Sequence, residues 1–93
     1  MARKHIKVLT KKLGKSKVWG QADYGDYTIE IDPRLKGKKH LEILIHEALH
    51  LLNPTFEEDE VVDQSIALTN LLWKQMYRRV ELDNKIPLQD GEM

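Results

Sequence analysis

His46 and His50 stand four residues apart, and Glu47 directly follows the first of them. Side chains four apart on a helix share a face, one turn above each other. Two neutral imidazoles so placed can grip one Zn²⁺ at roughly 2.0–2.1 Å. A carboxylate beside the first ligand can reach a water on that metal. Zinc lowers the pKa of such a water to about 7, and the carboxylate takes its proton during attack on a carbonyl. His46 and His50 are therefore candidate metal ligands and Glu47 a candidate general base. From Ile43 to Leu52 the chain reads Ile-Leu-Ile-His-Glu-Ala-Leu-His-Leu-Leu, with Glu47 its only charged residue. An ordinary core helix with two buried histidines is the bland alternative. Burying two imidazoles and a carboxylate without a partner is costly, however, and a metal supplies the partner.

The helix that carries these residues is expected to begin near Lys38. It should end before Asn53-Pro54, because proline disfavours helix in the residue before it. His40 lies six residues before His46, hence on another face, and is not counted as a ligand. Thr55-Phe56-Glu57-Glu58 has the form of a capping box, with Thr55 as N-cap and Glu58 at the third position. It predicts a second helix over residues 56–80, with Val62, Ile66, Trp73, Met76 and Val80 near helical spacing.

A short turn between the helices makes them antiparallel neighbours. The centre of the histidine pair lies about four residues, or roughly 6 Å, before the end of the first helix. Four residues into the second, counted from Phe56, is Glu60, the expected third ligand. Glu60, Gln64, Ala67 and Leu71 share one face by three- and four-residue steps. Glu57 shares that face nearer the turn. Asp63 shares it deeper and with a shorter arm, and is the main rival, as ligand or as a group orienting a ligand histidine. Glu58 and Asp59 are expected to point elsewhere. Acids in a first helical turn also complement the helix dipole, which accounts for most of the run Glu57-Glu58-Asp59-Glu60 without a metal.

Upstream, residues 5–9 alternate apolar and polar and predict a strand, in which His5 is a strand residue rather than a ligand. Residues 10–17, lysine-rich with Gly14, read as a solvated turn or loop. Residues 18–24 and 27–32 are aromatic and β-branched runs flanking Gly25-Asp26. They predict a hairpin with a type II′ turn, with Tyr27, Ile29 and Ile31 on one face. The fold class is α+β: a small antiparallel sheet packed on a site-bearing helix and a following antiparallel helix. No oxyanion stabiliser is assigned, with Tyr24, Tyr27 and Tyr77 as candidates.

The stretch Ile43–Leu52 resembles the extended signature of the zincin metallopeptidases: apolar residues, His-Glu, two uncharged residues, His, two more uncharged residues. The resemblance covers about ten residues, with a weaker match in the next helix. It implies a twisted sheet on the active-site helix, a third ligand further along the chain, and peptide-bond hydrolysis. It also implies that the hairpin before the helix offers a free edge to an extended substrate. The gluzincin-like pattern asks for glutamate on the following helix with a small residue seven positions on, as Ala67 follows Glu60. Glu60 comes only ten residues after His50, where many gluzincins have a longer insertion. The SprT-like pattern asks for a third histidine, and no histidine follows His50.

Ninety-three residues make one domain, residues 1–93, near the lower limit for a self-sufficient core, with residues 83–93 expected to fray. A bound metal would help to stabilise so small a fold. There is no cysteine, which excludes disulfides and thiolate zinc sites. Neither a signal peptide nor a transmembrane span is evident, so a cytoplasmic location without membrane association is expected. The net charge is zero, but residues 1–40 hold eleven Lys/Arg against four Asp/Glu and residues 41–93 hold four against eleven. The expected partner is a peptide or protein substrate. Two alternatives remain: a nucleic-acid-associated protease or binding module using the lysines of residues 3–17, and a non-catalytic protein in which zinc only holds the helices together.

Overall fold

The computed structural model describes residues 5–14 and 18–80. Three strands, β1 (Lys7–Thr10), β2 (Gly20–Asp23) and β3 (Thr28–Ile31), precede two helices, α1 (Gly37–Leu52) and α2 (Glu58–Lys74). The architecture is α+β, as expected. Residues 1–4, 15–17 and 81–93 lie outside the described part, and with them the expectation of a frayed tail.

The sheet is mixed rather than antiparallel, in the order β1-β3-β2. β2 and β3 form the expected hairpin, with Gly20 opposite Ile31 and Asp23 opposite Thr28. β1 pairs parallel to β3, Lys7 opposite Thr28 and Thr10 opposite Ile31. The strand preceding the site helix is therefore central, paired on both sides, and the edge of the hairpin belongs to β2. Its turn is the four residues 24–27, not a two-residue type II′ turn. Tyr27, not Gly25, takes the left-handed conformation, at φ 53°. The Asp26 N–H donates to Asp23 Oδ1 at 3.2 Å, the side-chain-closed turn that aspartate favours.

Ile29 and Ile31 of β3, Leu51 of α1 and Val61 of α2 form the centre of the core, each 1% exposed or less. Another face of α1 borders a cavity of about 490 Å³ with Leu41, Leu44, Leu72 and Trp73 on its walls. Among the described residues no helix is long and apolar enough to cross a membrane.

A buried carboxylate fastens the corner where all three strands meet the loops. Asp32 is fully buried. It accepts the Leu13 N–H at 3.0 Å, and the Arg34 N–H, Nε and Nη2 at 2.9 Å each. Its own N–H donates to the Trp19 carbonyl, and the Arg34 guanidinium lies over the Trp19 ring. Leu13, read from sequence as part of a solvated loop, is consequently buried. The Arg34 side chain first, and then the Leu13 N–H, hold the Asp32 carboxyl well below the usual carboxylate range, against the opposing effect of burial.

A group whose folded pKa is depressed stabilises the fold above its unfolded pKa of about 3.9, and that contribution is lost as pH falls toward the folded value. Asp32→Asn keeps the shape but removes the charge. It is expected to lower the urea midpoint markedly at about pH 7 and much less at about pH 2. Equal losses at both pH values would show that the charge contributes nothing.

The second helix departs from expectation at both ends. It starts at Glu58, because Thr55 is spent in a turn that the Phe56 N–H closes onto the Asn53 carbonyl at 2.9 Å. Glu57 is the N-cap, and the Glu60 carboxylate reaches back to its N–H at 2.8 Å. It ends at Lys74, six residues before Val80, in a Schellman motif: Met76 N–H to Trp73 carbonyl and Tyr77 N–H to Leu72 carbonyl, 3.0 Å each. Met76 sits at φ 69°, where glycine is usual, and its side chain is exposed. Left-handed backbone costs a non-glycine residue about 1–2 kcal/mol. Met76→Gly should therefore stabilise the protein by about 1 kcal/mol, after the greater unfolded-state entropy of glycine is deducted. A lower denaturant midpoint in the variant would contradict this.

Candidate metal centre

α1 spans Gly37–Leu52, starting one residue before the expected start near Lys38 and ending, as expected, before Asn53-Pro54. Gly37 is at φ 55°, a conformation that favours glycine, and the chain leaves the helix at Asn53, whose N–H bonds the Leu49 carbonyl. His46 and His50 project one turn apart, ring centroids 4.9 Å from each other. Both turn Nε2 toward one carboxylate, that of Glu58: His46 Nε2 is 3.2 Å from Oε2 and His50 Nε2 is 2.9 Å from Oε1. The potential ligand atoms of the three residues all lie within 4.8 Å of one another.

The donor chemistry suits a divalent metal. Two imidazole nitrogens and a carboxylate oxygen are the protein ligands of one common catalytic zinc arrangement, which leaves a fourth position open. The histidine side chains are 17% and 22% exposed and that of Glu58 is 66% exposed, so the cluster opens to solvent on the Glu58 side.

The structure thus brings His46 and His50 together with Glu58, the acid that sequence reasoning turned away. Glu60, Asp63 and Glu57 are not in the group. Glu60 holds the N-cap N–H of Glu57, and Asp63 is exposed. The cause is the helix start. Residues 53–57 are non-helical, and Glu57 is extended at φ −74°, ψ 158°. Extended backbone advances about 3.3 Å per residue against 1.5 Å in a helix, so the chain regains the level of the histidines sooner than a helix begun at Phe56 would. The one signal in the sequence that could have shown this is the second capping pair, Glu57 with Glu60, two residues beyond Thr55 with Glu58.

Glu47 lies on the same side of α1 as the histidines, against β2. An added Cβ at Gly20 would stand 3.3 Å from its Cγ. Burial pushes the Glu47 carboxyl up from its ordinary value. His46 and His50 pull it down, and Glu58 adds a smaller upward push. His40, as expected, is apart from the cluster; it is buried, with Arg79 Nη1 at 2.9 Å from its Nε2. Tyr77 lines the cavity on the other face of α1, the Tyr27 hydroxyl is buried, and Tyr24 is exposed in the hairpin turn.

Of the basic residues upstream, Lys7 and Lys11 face Asp26 and Glu30 at 4.0 and 3.4 Å, which reduces the bare positive charge along β1. Lys15 and Lys17 lie outside the described residues. Neither protein-family models, curated proteins nor solved structures give a match to this chain.

Proposed function

We propose that this protein is a zinc-dependent hydrolase of peptide bonds, with His46, His50 and Glu58 as the protein ligands and Glu47 as general base. The observation that carries the reading is the convergence of two Nε2 atoms and one carboxylate on a single point, with Glu47 one residue from the first of them. A Zn²⁺ held there would lower the pKa of a coordinated water to about 7 and polarise a substrate carbonyl. The chain's own contributions are three. His46 and His50 orient the site from one rigid helical turn. Glu58 supplies the negative charge and leaves the solvent side open. Glu47, partly buried beneath β2, is poised to take a proton and pass it to the leaving amine. An extended peptide is the substrate form that an open strand edge beside the site can align, through main-chain hydrogen bonds to β2.

The experiment is digestion of a peptide library by zinc-loaded protein. Cleavage that a chelator stops and added zinc restores is the expected result. No cleavage by protein that binds zinc stoichiometrically would favour the structural-zinc alternative.

A further inference from the structure

Gly20 opens β2 at the point where that strand crosses α1, and what it requires there is space rather than backbone freedom. A Cβ at this position would stand 2.6 Å from Ile43 Cγ2, 3.3 Å from Glu47 Cγ and 3.4 Å from the Glu30 carbonyl oxygen. Ile43 and Glu47 are four residues apart on one side of α1, and His46 and His50 neighbour them on that surface. A β-branched residue in a helix is held to essentially one χ1 rotamer, so Ile43 cannot swing aside. The flexible neighbour is Glu47. Any side chain at residue 20 must therefore lift β2 away from the helix, displace Glu47, or do both.

We propose that Gly20 is a positioning residue for Glu47: by letting β2 lie directly on Ile43 and on the stem of Glu47, it fixes where that carboxylate stands relative to His46 and His50. This deepens the hydrolase reading and rests on it. β2 is held from its other side by β3, through the pairing of Gly20 with Ile31 and Gln21 with Glu30. The strand thus acts as a fixed ceiling whose height over Glu47 is set by the contact between Gly20 and Ile43. The three atoms nearest that added Cβ belong to Ile43, Glu47 and Glu30, not to His46, His50 or Glu58. Base placement and metal binding should accordingly separate.

The test compares wild type, Gly20→Ala and Gly20→Ala/Ile43→Ala, all zinc-loaded. Three quantities are read: zinc affinity, kcat and KM on a cleaved peptide, and the nuclear Overhauser contact between residue 20 and the Glu47 side chain. Gly20→Ala is expected to bind zinc as wild type does and to lose about 100-fold in kcat, the scale of an ångström-sized misplacement, with little change in KM. Its contact to Glu47 should change. Ile43→Ala removes the 2.6 Å obstacle, so the double variant should recover much of the kcat and the wild-type contact. An unchanged kcat in Gly20→Ala overturns the proposal. So does a double variant that folds and binds zinc but recovers nothing, which also decides the matter if the single variant does not fold. If wild type cleaves no peptide, the hydrolase reading fails by itself. Gly20 is then judged by the Glu47 contact alone, and a contact unaltered in Gly20→Ala overturns its positioning role.

Discussion

Glu47→Gln is expected to abolish peptide cleavage while leaving zinc affinity and fold intact. Glutamine has the volume of glutamate and occupies the same place beneath β2, but it cannot take a proton. General acid–base catalysis contributes about 10²- to 10⁴-fold, so kcat should fall by at least that lower bound. Glu47 is not in the group formed by His46, His50 and Glu58, and zinc binding should not follow its charge closely. Measured together, kcat and zinc affinity distinguish two roles. Loss of both would make Glu47 part of the metal-holding set. Loss of neither would remove it from the chemistry.

The second large effect concerns the third ligand. Glu58→Gln should weaken zinc binding by more than about 100-fold, above the 10- to 100-fold usual for a group that only supports a ligand. Glu60→Gln should leave both zinc affinity and helix stability nearly unchanged, because the glutamine side-chain carbonyl still accepts the Glu57 N–H. The reason is positional: the Glu58 carboxylate faces both Nε2 atoms, whereas that of Glu60 is engaged by the Glu57 N–H. A competitive zinc titration on both variants, with urea unfolding beside it, checks the assignment. A larger affinity loss for Glu60→Gln, or for Asp63→Asn, would contradict it.

The difference between Glu58 and Glu60 shows where the sequence was legible and where it was not. The end of α1 was legible because proline restricts the residue before it whatever the rest of the chain does, while the start, expected near Lys38, falls one residue earlier at Gly37. The histidine pair needed only the helical repeat. The start of α2 was ambiguous because two capping pairs overlap, and which one forms depends on the turn from Asn53 to Phe56. The end of α2 was hidden because Met76 does what glycine usually does. The parallel pairing of β1 with β3 joins segments some twenty residues apart, and no local pattern sets its direction. Gly20 carried no turn signal, since what excludes a side chain there is Ile43, a residue of another element. Asp32, the last residue of the expected run 27–32, proved to be a buried carboxylate that accepts from Leu13 and Arg34 while its N–H donates to Trp19.

Whether His46, His50 and Glu58 form one zinc site is tested most directly by the metal content of purified wild-type protein, with the affinity behind it. Close to one zinc per chain is expected, abolished in His46→Ala and in His50→Ala. Wild-type protein that remains metal-free after zinc supplementation would contradict the account.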